Sequence, residues 1–284
     1  MNAVEINNLK RNYPNFTLDI DELKIPSGAV IGLIGENGAG KTTLIKSVLN
    51  IIRKDEGKIR IFDKDLEEAE LDVKEDIGIV LDNAFFPELL NPKSIDPIMK
   101  DFYKNWDSEL FHKYLNDFGI DEKQSLKTMS KGMRKKVEIA SALAHHPRLL
   151  ILYEATSGLD PIVRNEVLDL FLDFIKDEEH TVILSTHITS DLEHIADYIV
   201  FINKGKIVIN EERNELFDRY GILKCDSEKL GSIDKEDIVA CRENKYSCEV
   251  LVSDKERCRE KYPDLVIDNI SLEELMLLII KGGK

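Results

Sequence analysis

The sequence predicts an α/β fold: a largely parallel, helix-covered sheet, antiparallel strands on its N-terminal side and a small α/β appendage at its C-terminal end. Three observations predict it. A continuous apolar run, Ala29–Ile34, and two more buried-strand runs, Leu149–Leu152 and Thr181–Ser185, alternate with helical stretches, as strands buried on both faces do. A glycine-rich segment follows the first run and opens a helix. In the last quarter, shorter alternating segments replace the long apolar runs.

The elements follow in order. Val4, Ile6 and Leu9, then Phe16, Leu18 and Ile20, alternate with polar residues and predict two antiparallel strands before residue 28. Pro26-Ser-Gly28 turns the chain into Ala29–Ile34, and a helix is expected from Lys41 to Asn50. Lys58–Phe62 and Ile77–Leu81 read as short strands. Between Pro87 and Leu126 the pattern is helical and aromatic-rich, with Phe102, Tyr103, Trp106, Phe111, Tyr114 and Phe118. A helix over Pro161–Lys176 separates the two later buried strands, and Asn203-Lys-Gly205 has the composition of a hairpin turn between Ile199–Ile202 and Lys206–Ile209. The main domain is expected over residues 1–214, with a helical subdomain at 87–148, and the appendage over 215–284. Within the appendage, strands are expected at Gly221–Lys224, Ile238–Arg242 and Cys248–Val252, with a hairpin at Glu243-Asn-Lys245. Helices are expected at Lys255–Lys261 and Ser271–Ile280, the second opened by the capping box Ser271-Leu-Glu-Glu274. Its apolar face would carry Leu272, Leu275, Met276 and Ile279, packed within the appendage or against a second copy.

Composition excludes several classes. The 284 residues hold 39 Lys+Arg against 54 Asp+Glu, a formal charge of −15. A general nucleic-acid binder needs a basic face, so no nucleic-acid partner is expected. No apolar stretch approaches the roughly 18–20 residues that span a bilayer, and Met1–Tyr13 lacks a signal-peptide core. The expected location is the cytoplasm, any membrane role being borrowed from a membrane partner. Cys225, Cys241, Cys248 and Cys258 show no C-x-x-C spacing and read as reduced thiols of a small fold.

Gly35-Glu-Asn37-Gly38-Ala39-Gly40-Lys41-Thr42 matches G-x-x-x-x-G-K-[ST]. The glycines let backbone amides point inward, and the following helix adds the positive end of its dipole. Lys41 would reach the β- and γ-phosphates, and the Thr42 hydroxyl would meet Mg²⁺. The motif lies between a buried strand and a helix, the context that this chemistry needs.

Further motifs, in order, resemble those of the ATP-binding cassette ATPase, the motor subunit of ABC transporters. Tyr13 stands where that family stacks an aromatic on adenine, though a strand-end aromatic is the plainer alternative. Ser130-Lys-Gly132-Met133 resembles the family signature, Leu149–Glu154 the Walker B strand, Ser157-Gly-Leu-Asp160 the D-loop and Ser185-Thr-His187 the switch-histidine segment. The resemblance covers residues 1–215. It implies a P-loop NTPase core with an antiparallel β subdomain and a helical subdomain. It also implies ATP and Mg²⁺ as cofactors, with Thr43 beside the other P-loop residues at the nucleotide. In the family's head-to-tail dimer, Ser130 and Gly132 of one copy would hold the γ-phosphate bound to the other. Glu154 would polarise the attacking water and His187 would steady the γ-phosphate. The implied partners are a separate transmembrane permease subunit and a second cassette, in an ATP-dependent homodimer or heterodimer. The implied seat is the cytoplasmic face of the membrane.

Three positions depart from the family pattern. Tyr153 replaces the Walker B aspartate; a phenol is neutral at pH 7, so a full negative charge beside the metal is missing. One expectation is slow hydrolysis. The other is an otherwise active ATPase carrying a variant, since Asp and Tyr codons can differ by one base. Asp82 replaces the Q-loop glutamine and is expected to approach the metal or its waters, the alternative being a turn after a strand. Lys131 and Met133 replace a Gly and a Gln of the signature, leaving Ser130 and Gly132 in place.

The single cassette, with Asp82-Asn-Ala-Phe-Phe-Pro87 and Glu154-Ala-Thr-Ser-Gly-Leu-Asp-Pro161, most resembles bacterial ABC-2 type exporter ATPases and, within them, the subgroup of phenol-soluble-modulin exporters. Segment 87–126 is where that family docks its membrane subunit. A chromosome-maintenance cassette would need a long coiled-coil insertion, which does not fit between Thr42 and Leu149. Translation-type cassette proteins carry two P-loops in one chain. The remaining alternative is a regulatory or pseudo-ATPase cassette partnering an active one.

Overall fold

A computed structural model describes residues 1–82, 86–243 and 247–282. Contacts divide the chain into two units, Met1–Asn210 and Glu211–Lys284.

In the first unit, β1 (Asn2–Tyr13) and β2 (Phe16–Pro26) form the predicted antiparallel pair, closed by the Tyr13–Phe16 register. β3 (Val30–Ile34) is buried along its whole length and leads into α1 (Lys41–Val48). Next come β4 (Glu56–Ile61), β5 (Lys64–Asp65), α2 (Glu70–Glu75) and β6 (Ile77–Val80). The helical segment holds α3 (Pro92–Phe102) and α4 (Ser108–Asp117); a short 3₁₀ turn, Leu126–Thr128, leads to α5 (Lys131–Leu143). The unit finishes with β7 (Leu149–Tyr153), α6 (Pro161–Phe174), β8 (Thr181–Ser185), α7 (Thr189–Ile195), β9 (Tyr198–Asn203) and β10 (Lys206–Glu212).

Two sheets result. One has the order β2-β1-β4-β5, and the other β10-β9-β3-β8-β7-β6. In the second, β9, β3, β8, β7 and β6 run parallel. Each parallel strand therefore delivers its C-terminal residue to one edge, where ligands of open α/β sheets bind. The β9–β10 hairpin turns at Lys204 (φ 48°) and Gly205 (φ 80°), the double positive φ of a type I′ turn. Gly205 is required there, since a Cβ would stand 1.9 Å from the Thr17 carbonyl oxygen.

One core joins the two sheets and α1, with Ile6, Leu18, Ile31, Ile45, Ile59 and Ile151 among its buried members. A second core fills the helical segment and takes Trp106 and Phe111, with Tyr103, Tyr114 and Phe118 packed partly against it. Phe102 is 75% exposed and Leu89 84%, so these stand outside that core.

The second unit holds α8 (Arg213–Arg219), β11 (Gly221–Cys225), α9 (Ser227–Leu230), β12 (Ile238–Glu243), β13 (Cys248–Val252), α10 (Lys255–Lys261), β14 (Val266–Asn269) and α11 (Leu272–Lys281). Its sheet has the order β12-β13-β11-β14. The middle of the predicted Glu243–Lys245 hairpin lies outside the described residues. The capping box is formed, Ser271 accepting from the Glu274 amide and Glu274 from the Ser271 amide. α11 packs on β12 and β13; Leu272, Leu275 and Leu278 are its buried residues, while Met276 and Ile279 are half-buried. Leu275–Ile280 is apolar at every position, so periodicity leaves the choice of buried face to the sheet beneath.

Candidate functional site

The loop between β3 and α1 wraps through Gly35 (φ 155°), Gly38 (φ 83°) and Gly40 (φ 117°), conformations that side chains disfavour. A Cβ on Gly35 would lie 2.4 Å from the Ile202 carbonyl oxygen, so β9 presses directly on the loop. The β9–β10 turn braces it as well, the Gly205 amide donating to the Ala39 carbonyl at 2.8 Å. No side chain caps α1, whose first amides stay available to an anion.

Beside this loop lies a cavity of about 440 Å³, lined by Tyr13, Phe16, Glu36, Asn37, Gly38, Gly40, Lys41, Thr42, Thr43 and Tyr153. Of the motif Gly35–Thr42, only Gly35 and the buried Ala39 are missing from that lining. The Lys41 ammonium donates to the Gly35 carbonyl and, at 3.0 Å, to the Glu36 carbonyl. Burial holds its pKa below the ordinary lysine value, while the charges of Glu154 and Glu36 oppose that shift.

Tyr13 stands at the cavity mouth, 39% exposed. The Arg11 guanidinium lies 5.1 Å from its ring centroid and is fixed by Asp55 at 2.9 Å; Phe16 sits 6.2 Å away. Phe16 as a lining aromatic was not anticipated. Its signal is its place directly across the β1–β2 turn from Tyr13.

At the end of β7, the Tyr153 and Thr42 hydroxyls are hydrogen-bonded at 2.7 Å. Glu154 follows with φ 53°, an uncommon conformation for a side-chain-bearing residue, and its amide donates to the Ser185 carbonyl at 2.8 Å. Its Oε2 meets His187 Nδ1 at 2.7 Å, so the predicted water-polarising and switch residues are in contact. Behind them, buried Asp191 accepts from the Thr156 hydroxyl at 2.8 Å and from the Arg164 guanidinium. This cluster ties the D-loop region to α6 and α7 and has no sequence motif of its own.

Three predicted residues stand apart. Asp82 is exposed and does not line the cavity; residues 83–85 that follow it lie outside the described residues. Ser130 is exposed and caps α5, its Oγ accepting from the Met133 amide at 3.1 Å. Neither Ser130 nor Gly132 lines this cavity. Lys135 of α5 donates to the Leu81 carbonyl at 2.6 Å and pairs with Glu138 at 2.7 Å, tying the signature helix to the strand end before Asp82.

The ABC transporter family matches residues 18–157. The lantibiotic transport ATP-binding protein SrtF of Streptococcus pyogenes is 34% identical over 212 residues, 74% of this chain and 90% of that protein. The chain belongs to the ABC transporter ATP-binding subunits. Such a subunit is an ATPase coupled to transmembrane transport, and it pairs with separate membrane components. The daunorubicin/doxorubicin resistance ATP-binding protein DrrA of Streptomyces peucetius is 31% identical over 226 residues, 77% of this chain and 68% of that protein. A solved ATP-binding subunit of an ABC transporter superposes with a TM-score of 0.68 at 23% identity, covering 75% of this chain and 91% of that one. That likeness concerns the cassette fold. Among the described residues no helix is long and apolar enough to cross a membrane.

Proposed function

We propose that this cassette is the ATP-driven motor of a bacterial ABC-2 type exporter, seated on the cytoplasmic face of the membrane through its permease, with hydrolysis attenuated by Tyr153. The observation that carries the attenuation is the Thr42–Tyr153 hydrogen bond, which puts a neutral phenol where the family has a carboxylate. The names of SrtF and DrrA support the exporter class. The cargo class suggested by the modulin-exporter subgroup rests on motif resemblance alone.

The chain's own groups would act as follows. The P-loop amides of Gly38, Gly40 and Lys41 and the Lys41 ammonium receive the phosphates, and Tyr13 takes the base on the face turned away from Arg11. Glu154 holds the attacking water and His187, already 2.7 Å from it, orients that carboxylate toward the γ-phosphate. Ser130 and Gly132, outside their own chain's cavity, serve the nucleotide of a second copy or of a partner cassette. The exposed Leu89, Ile98 and Phe102 offer an apolar face to the permease. Mg²⁺, expected at Thr42 and Asp82, meets an exposed Asp82 outside the cavity and a Thr42 hydroxyl already bonded to Tyr153. Those residues do not fit a metal held by the protein.

Turnover and light scattering of the purified chain with ATP test the reading. Slow hydrolysis and an ATP-dependent dimer, both lost in Lys41→Ala, are expected. Hydrolysis at a rate untouched by Lys41→Ala would overturn the motor assignment. A stable ATP dimer with no hydrolysis even in Tyr153→Asp would favour the regulatory cassette instead.

A further inference from the structure

We propose that this site takes ATP without a divalent cation, the paired hydroxyls of Thr42 and Tyr153 serving the phosphates in the cation's stead. The inference rests on the nucleotide-site reading above and concerns which ionic form of the nucleotide the site accepts.

The donor set carries the argument. Magnesium prefers near-octahedral oxygen ligands, and proteins usually hold it through one or two carboxylates together with the substrate's phosphates. Two carboxylates lie near. Glu36 is exposed on the loop and supplies its backbone carbonyl to Lys41, while Glu154 gives its Oε2 to His187. The Thr42 hydroxyl is bonded to Tyr153 and to neither of them. Among the described residues, no group of three or more His, Cys, Asp or Glu side chains is arranged to hold a metal ion.

The same groups suit an anion directly. Either hydroxyl can donate in this pair, and the more acidic phenol favours the arrangement in which Tyr153 Oη–H donates to Thr42 Oγ1. That leaves the threonine's own hydrogen to donate outward, and each bond of such a chain strengthens the next. Lys41 has three N–H donors and spends two on the Gly35 and Glu36 carbonyls, so one is left for a phosphate oxygen. With the uncapped amides of α1, the lining becomes an array of donors around the place of the β- and γ-phosphates. Tyr153 is held to this role by its strand. It pairs with Ser185 in the β7–β8 register and packs partly against the main core, which positions the ring beside Thr42.

Calorimetric titration of the full chain with ATP, in EDTA and in excess magnesium chloride, tests this. The expected affinities agree within about threefold. In Tyr153→Asp, the added carboxylate should make binding depend on magnesium by about 10- to 100-fold. Tyr153→Phe keeps the ring and removes the donor, and should weaken binding in EDTA by about 2- to 10-fold with its melting temperature held. Magnesium tightening the wild-type chain tenfold or more would overturn the inference and leave the nucleotide site standing. So would an unchanged EDTA affinity in Tyr153→Phe. Absence of ATP binding in both buffers would instead overturn the nucleotide-site reading.

Discussion

Replacing Tyr153 by aspartate should raise ATP turnover about 10- to 100-fold. The perturbation exchanges a phenol, 2.7 Å from the Thr42 hydroxyl, for a carboxylate at the same strand end. A unit charge about 4 Å from a cation at an effective dielectric near 20 is worth on the order of 4 kcal/mol. That is an upper bound, because Tyr153 sits half-buried at the open end of β7, where solvent screens it. The measured scale of carboxylates that support a metal, about 10- to 100-fold, corresponds to roughly 1.4–2.7 kcal/mol of barrier. Against it stands the lost hydroxyl–hydroxyl bond, about 1 kcal/mol, and the packing of the ring on the main core. Those losses lower stability while leaving the phosphate-binding backbone intact. The assay is phosphate release at saturating ATP with magnesium, beside a thermal melt of both chains. If the variant folds and turns over no faster than wild type, Tyr153 does not limit hydrolysis and the attribution is wrong.

Two further outcomes follow from the geometry. Arg164→Ala removes the cation from Asp191, which is 1% exposed and would retain the Thr156 hydroxyl at 2.8 Å. Breaking a fully buried ion pair costs about 3–5 kcal/mol. Arg164 is 25% exposed, so urea unfolding should show a smaller loss, about 2 kcal/mol; a loss under about 0.5 kcal/mol would show that the cluster is not structural. Burial depresses the Lys41 pKa, so the ammonium discharges at a lower pH than an ordinary lysine. ATP affinity should therefore begin to fall, as pH rises, before the ordinary lysine value is reached, and a titration series in which Lys41→Arg removes that fall would establish the cause. An affinity flat to that value contradicts it.

Much of the fold was legible in the sequence because the signals were local. Ala29–Ile34 and Leu149–Leu152 are apolar throughout and Thr181–Ser185 has an apolar centre, a pattern that strands covered on both faces show. Lys204-Gly205 and the capping box at Ser271 are likewise written within a few residues. On α11 the expected Leu272 and Leu275 are buried, but Leu278 joins them while Met276 and Ile279 are only half-buried, because six consecutive apolar residues contain no period to read. Helix α5 went unmarked behind the signature motif, and β14 is a four-residue strand whose sheet partners lie far away in the sequence.

For the site, the sequence by itself determined the phosphate loop, since Gly35, Gly38 and Gly40 supply the positive backbone angles that the loop adopts. It also determined that residue 153 is a phenol where the family has a carboxylate. Only the tertiary structure decided what stands next to what. Parallel register brings the ends of β3, β7 and β8 to one edge, and this alone sets Tyr153 against Thr42, 111 residues apart, and His187 against Glu154. The same packing leaves Asp82, Ser130 and Gly132 outside the cavity and builds the Arg164–Asp191–Thr156 cluster behind it. Motifs record which groups a loop contains, whereas contacts between loops depend on how strands stack side by side, and no local pattern encodes that.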